Sequence, residues 1–353
     1  MLAGRLLRSF LLSVFWCGSP SLGVATPITI DTVLIGNPGN IPRSSRGAVA
    51  YEFRMATYEV TNAQYSAFLN TVAISDPNEL YYSLMGSSPH GGIVRSGTKG
   101  NYAYATKPGM ENKPVNYVNW LDAARFVNWR HNGQPSGAQD STTTEDGAYT
   151  LIGARGLNSI TRNPDARWWL PSEDEWYKSA YHKNDGVTGN YWTYPTASDV
   201  APLAEVPPGG KSANFANAVG TFSDVGAYAD ARGPYGTYDQ GGNAWEWNEE
   251  TSYAGSINGI PIGAMRGIGG GSFSSELKYL QFPYTKGWFN SPDETIGFRV
   301  AAVVLTPEPS TLPLAVLGLI ALGYFARRRC GTEREKVGQP ERAARSCQLG
   351  KAC

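Results

Sequence analysis

Between Thr26 and Thr306 the chain has no cysteine. All four cysteines, Cys17, Cys330, Cys347 and Cys353, lie in the terminal segments. A fold built from the middle therefore uses no disulfide, no thiolate metal site and no cysteine nucleophile. Histidine is nearly as scarce. His90, His131 and His182 are far apart, and none pairs at the i, i+4 spacing of a helical zinc site. A basic excess is also missing. Residues 26–306 carry 20 Lys and Arg against 26 Asp and Glu, a net of −6, and the two ends carry the balancing +6. That excludes the electrostatic footprint of a nucleic-acid binder. Charged residues make up only 17% and apolar residues 41%, so the 353-residue chain is not a self-solvated, disordered one. What is abundant is Gly (41), Pro (23) and aromatic residues (12%), a mixture that suits a loop-rich fold with short strands.

The two ends read as addresses. Residues 1–25 have the parts of a secretory signal: Arg5 and Arg8, an apolar stretch from Phe10 to Trp16, and Gly23-Val24-Ala25 for cleavage before Thr26. Signal peptidase is the expected partner. Near the other end, Thr306-Pro307-Glu308-Pro309-Ser310 precedes an apolar run, Leu312 to Phe325, and then Arg327-Arg328-Arg329. The run is short of the roughly 20 residues of a full span. The arginines hold that end in the cytoplasm. The order of these parts, over residues 306–329, resembles the PEP-CTERM sorting signal. That resemblance implies an exosortase partner, transient anchoring in the inner membrane, and delivery to the surface or matrix of a Gram-negative bacterium. Residues 330–353 are polar, without apolar periodicity, and are expected to be disordered.

No linker or repeat divides residues 26–305, which read as one domain. Thr61-Asn62-Ala63-Gln64 and Ser172-Glu173-Asp174-Glu175 are capping boxes, and Asn119 is a third N-cap. Helices are expected after each, the second from Trp120 to about Asn132. The Glu173–Glu175 acidic cluster is read as capping rather than as a catalytic site. Short strands are expected near Ala50–Thr57, Ala244–Trp247, Gly271–Phe273 and Gly297–Val304. Long surface loops are expected around 85–110, 132–165 and 183–235. Strand alternation sets Trp245 and Trp247 opposite Glu246. Asp239 and Glu246 flank a glycine-rich bend, and hard oxygens of this kind suit calcium. The plainer reading of Glu246 is a buried, hydrogen-bonded carboxylate.

Read in order, the segments at Tyr58–Asn62, Lys113–Trp120, Trp169–Trp176, Tyr235–Trp247, Arg266–Phe273 and Ile296–Ala301 resemble the formylglycine-generating enzyme, or sulfatase-modifying factor, family. The resemblance implies an α+β fold of the C-type-lectin-like kind: little regular secondary structure, a small antiparallel sheet and about three flanking helices. It implies one structural calcium site at Asp239, Gly242, Ala244 and Glu246. A second would begin at Asn214 and Phe215, its remainder near Asp224.

The same resemblance exposes a departure. Family enzymes hold copper(I) on two cysteines after a Gly-Gly-Ser and convert a sulfatase cysteine to formylglycine. A related branch makes sulfoxides with iron held by histidines on an added helical domain, and neither that domain nor those histidines occur here. The two cysteine positions are Ser275 and Leu280 in this chain. Soft copper(I) needs thiolate or thioether ligands, so copper is not expected. Trp245 and Ser272, which line the family's oxygen pocket, are present. The sequence thus points to an exported binding or structural module, stabilised by calcium, that takes a polysaccharide or peptide in the old groove. The alternatives are an oxidoreductase or other enzyme using different chemistry there, or a true formylglycine generator.

Overall fold

The computed structural model describes residues 27–153, 157–257 and 260–305. The proposed signal peptide, the cleavage point before Thr26, the sorting segment and the polar tail lie outside the described residues. The chain divides into two units, 1–304 and 305–353, and every described strand and helix belongs to the first.

Two small four-stranded sheets frame the domain. The first has the order β1-β2-β12-β5, from β1 (Thr32–Ile35), β2 (Phe53–Ala56), β5 (Trp168–Trp169) and β12 (Ala301–Ala302). Its pairs are antiparallel, with Met55 opposite both Val33 and Ala301. The second has the order β10-β9-β8-β11, from β8 (Trp245–Ile257), β9 (Ile260–Gly269), β10 (Lys286–Phe289) and β11 (Ile296–Gly297). The β8–β9 pair is antiparallel with an irregularity between Trp247 and Thr251, and β11 joins β8 in parallel. Two further pairs sit in the loops: β3 (Ile93–Ser96) with β4 (Ala103–Thr106), and β6 (Leu203–Ala204) with β7 (Ser212–Ala213).

Four helices flank the sheets. They are α1 (Asn62–Val72), the one-turn α2 (Leu84–Ser87), α3 (Trp120–His131) and α4 (Glu173–Tyr181). The three longer ones begin at reciprocal capping boxes. Thr61, Asn119 and Ser172 each accept the amide three residues on, and Gln64, Asp122 and Glu175 each accept the amide of the cap residue. Ala123, Ala124, Val127 and Trp129 on α3 are all buried, as their spacing requires. The core joins α1 and α3 through Tyr65, Phe68, Phe126, Trp129 and Phe298, whose ring centroids lie 5.2–6.4 Å apart. Each such side chain, fully buried, contributes about 1.5–3 kcal/mol of hydrophobic stabilisation.

Several local expectations change. The strand expected at Ala244–Trp247 runs on to Ile257. Gly271–Phe273 is a turn after β9, because Gly270 (φ +94°) and Gly271 (φ +81°) adopt left-handed backbone that a strand does not use. The stretch 297–304 contributes two short pieces, separated where Arg299 turns its side chain into the interior. The region 85–110, read as a loop, contains β3 and β4. Among the described residues no helix is long and apolar enough to cross a membrane, and the run Leu312–Phe325 lies outside them.

Candidate functional site

The turn after β9 gathers the positions that the sequence singled out. The Ser272 amide donates to Ser275 Oγ at 2.8 Å, the two hydroxyl oxygens lie 3.1 Å apart, and Ser274 Oγ is 3.2 Å from Ser272 Oγ. Ser275 is 8% exposed and Leu280 fully buried. A Cβ placed on Gly271 would lie 2.9 Å from Leu280 Cδ1 and 3.3 Å from Ser275 Cβ. The fold therefore brings residues 275 and 280, five positions apart, together over one bare glycine. Leu280 continues into a cluster with Tyr194, Ala213 and Phe215.

An aromatic wall stands beside this turn. Trp245 meets Tyr279 edge-on at 5.5 Å, and Tyr279 meets Tyr284 edge-on at 4.6 Å. Lys286 lies 5.9 Å from the Trp245 ring centroid. Tyr284 also lines an open cleft of about 440 Å³ with Arg46, Lys278 and Gln281. Through Arg46 and Thr285 this cleft adjoins a second hollow of about 260 Å³ that reaches Glu250 and Lys286. Cations here are matched by anions: Arg46 pairs with Glu173 at 3.0 Å and Lys278 with Glu276 at 3.1 Å. The cleft is aromatic and of mixed charge, suited to amphipathic ligands.

Beneath the turn lies a buried charge cluster. Both oxygens of Glu246 accept from Arg299, each at 2.6 Å, and Oε2 also accepts from the Trp176 indole at 2.6 Å. Glu246 and Arg299 are both fully buried. Arg299 donates as well to the carbonyls of Ala56 and Tyr238. Two more carboxylates face this pair. Asp239 Oδ2 accepts the Gly226 amide at 2.6 Å. Burial pushes its pKa up to about 6, against the pull of the Gly226 amide and Arg299. Glu59 is 2% exposed; its Oε1 accepts from Asn243 at 3.1 Å, and its Oε2 has no partner. Burial holds Glu59 well above the ordinary carboxylate range, and Asp239 adds to the effect.

The other residues named for calcium fall around this cluster. Gly242 (φ +90°) packs so closely on Asn214 that a Cβ would lie 2.4 Å from the Asn214 carbonyl oxygen, which accepts the Asn243 amide at 2.8 Å. Asn214 donates to the Thr221 carbonyl at 2.8 Å, and its own Oδ1 is buried without a partner. The Phe215 carbonyl accepts the Ala218 amide, and Ala244 packs with Phe222 and Phe273. Asp224 stays apart: its carboxylate is 54% exposed and pairs with Lys113. Among the described residues no three His, Cys, Asp or Glu side chains are arranged to hold a metal by themselves. A hard cation here would have to draw on backbone and amide oxygens too. The two unpartnered oxygens, Glu59 Oε2 and Asn214 Oδ1, and the raised pKa of Asp239 suit such an ion. Glu246 suits it less, because both its oxygens are already engaged.

Glu59 and Arg299 are the residues that sequence reasoning passed over. Both lie within the family motifs, but nothing local reveals that Glu59 meets Asn243, 184 residues away, or that Arg299 meets Glu246, 53 residues away.

The sheets, the capped helices and the serine turn together define a domain of the sulfatase-modifying class. Residues 32–304 match the sulfatase-modifying factor enzyme 1-like domain, and the chain belongs to that family. Residues 305–329 match the PEP-CTERM protein-sorting motif, which directs exosortase-mediated sorting and export. The chain is similar to the formylglycine-generating enzyme of Bos taurus, 26% identical over 295 residues that cover 77% of this chain and 71% of the relative. Solved structures of similar fold include CarF, at 20% identity and TM-score 0.48 over 78% of this chain and 99% of that one. They also include Treponema denticola variable protein 1, at 16% identity and TM-score 0.48 over 77% of this chain and 95% of that one.

Proposed function

We propose that this exported family member does not generate formylglycine and works as a calcium-stabilised binding module. One observation carries the reading: the two positions that converge over Gly271 are a serine and a leucine. A hydroxyl already bonded to the Ser272 amide and a buried isobutyl group offer copper(I) no soft ligand. Dioxygen reacts slowly with an unactivated thiol, so loss of that metal removes the family's oxidative step. What remains is the cleft, with Phe282 and Tyr284 in its lining, backed by the ring contacts that run from Tyr284 through Tyr279 to the buried Trp245. Aromatic faces of this kind take the apolar faces of sugars and peptide side chains, so the ligand class is a surface polysaccharide or a peptide. Calcium, where bound, supplies positive charge against Glu59 and Asp239. Asp239, Gly242, Ala244 and Glu246, the last held by Arg299, would form one site, and Asn214 and Phe215 would begin a second.

The test is to load the protein with copper and offer a cysteine-containing sulfatase peptide under oxygen. No mass loss of aldehyde formation is expected, and turnover by this protein would overturn the proposal. The double variant Ser275→Cys with Leu280→Cys is expected to gain copper(I) binding that the parent lacks. Processing is read as cleavage before Thr26 and near Pro309, after transient anchoring in the inner membrane. A native surface form retaining Cys353 by intact mass would count against it.

A second reading, an enzyme using other chemistry beside the same turn, draws on His90. Its ring stacks on Phe273, its Nδ1 lies 2.9 Å from Thr221 Oγ1, and its Nε2 lies 3.5 Å from Glu294. A small molecule turned over by the parent and not by His90→Ala would favour it.

A further inference from the structure

Glu249, Thr251 and Arg266 line a cavity of about 250 Å³ with Asn158, Thr161 and Arg162. It is separate from the Tyr284 cleft. The hollow joined to that cleft is lined by Glu250, Ser252 and Gly267, the alternate residues of the same β8–β9 ribbon, so the two lie on opposite faces. We propose that this cavity is a binding site for a small polyhydroxylated carboxylate, of the chemistry of a single uronate residue.

Arg266 is the pivotal side chain. It is 2% exposed and stacks 3.9 Å from the Trp120 ring centroid. Its Nη atoms donate to the carbonyls of Glu249, Leu157 and Ile160 at 2.5–2.7 Å. Its Nε has no acceptor. It makes no ion pair among the described residues: Glu249 pairs with Arg162 at 2.5 Å, and Glu249 and Glu250 act on Arg266 only as neighbouring charges. A buried guanidinium without a direct ion pair is unfavourable, and a buried N–H without an acceptor adds to that. Burial accordingly pulls the Arg266 pKa down to about 10.

Asn158 presents the complementary lack. Its Nδ2 donates to the Ser252 carbonyl at 3.3 Å, and its buried Oδ1 receives no donor. The cavity thus offers a cationic donor, an amide acceptor and the hydroxyls of Thr161 and Thr251. A carboxylate oxygen completes Arg266 Nε, and a neighbouring hydroxyl completes Asn158 Oδ1. Water alone meets the hydrogen bonds but not the charge. Two guanidiniums in the lining disfavour a metal cation. The volume lies just under the roughly 300–1,000 Å³ of drug-sized ligand sites, which limits the occupant to one small ring.

The experiment is calorimetric titration of the exported protein with D-glucuronate, with D-glucose and acetate in parallel. Glucuronate is expected to bind, and the other two about tenfold more weakly or worse, since each lacks half of the complement. Arg266 also ties three carbonyls, so the variants are Asn158→Ala and Thr161→Val. Each is expected to weaken glucuronate about tenfold, the effect of one lost hydrogen bond in a buried site. Failure of glucuronate to bind would overturn the proposal. So would equal binding of glucose or acetate, or unchanged affinity in both variants. Because the site lies on the other face of the ribbon, none of these outcomes depends on what the Tyr284 cleft binds.

Discussion

The most constrained residues in the domain are four buried charges from distant segments: Glu59, Asp239, Glu246 and Arg299. Among the described residues, Arg299 is the cation that faces all three carboxylates. Removing one member of a buried pair costs about 3–5 kcal/mol because the other is left uncompensated. Arg299→Leu is expected near the upper end, since it strands three carboxylates, and Glu246→Gln near the lower end, since Asp239 and Glu59 still face the arginine. Urea unfolding measures both, and the reverse order would show that the cluster is not held as described. Asp122 gives a pH-dependent case. Burial pushes its pKa up to about 8 from an ordinary 3.8. The folded state then binds that proton more tightly than the unfolded chain. Its contribution is full below the unfolded value and is lost as pH rises toward 8. In Asp122→Asn the penalty is gone, so the stability gap between variant and parent widens from about pH 4 to pH 8. A gap that does not change with pH would place the carboxylate in contact with water.

Among the elements, α4 shows how one signal in the sequence serves two ends. Ser172 and Glu175 form the capping box that the spacing indicates. Glu175 also accepts from Arg162, Tyr51 and Trp169, and Glu173 and Asp174 bind Arg46 and the Gly47 amide. The cap reading is therefore correct and incomplete. Ser172→Ala is expected to cost about 1 kcal/mol, the usual effect of a lost N-cap, because Arg162 keeps Glu175 in place. A loss several times larger in thermal melts would mean that the cap positions the whole network. The helices were legible because capping is local chemistry, complete within four residues. The strands were less so. Most are two to four residues long, and their pairing partners lie far off in sequence. The stretch Gly271–Phe273 was read as a strand, and it is the left-handed backbone at Gly270 and Gly271 that makes it a turn.

For the whole molecule, the loops between α4 and β8 contain only two strand pieces of two residues each. A bound ion that fastens them to Asp239 and Asn214 would stabilise only the folded form. The expected gain is RT ln(1 + [L]/Kd), about 2.7 kcal/mol at a hundredfold excess over Kd. Thermal melts in calcium and in chelator read this directly, and coincident curves would refute the calcium proposal.

By itself the sequence determined the C-terminal sorting motif, the three capped helices, the family, and the absence of any thiolate in the middle. Each of these depends on residue type, or on spacing within a few positions. Only the tertiary structure decided that Ser275 and Leu280 converge over Gly271, that Glu246 answers to Arg299, and that Arg266 lies buried without an ion pair among the described residues. The last two depend on contacts between segments tens to hundreds of residues apart, and the first, although its residues span only 271–280, depends on the left-handed backbone at Gly270 and Gly271. The chain closes such contacts only after its helices and short strands have packed, and no local pattern in the sequence encodes them.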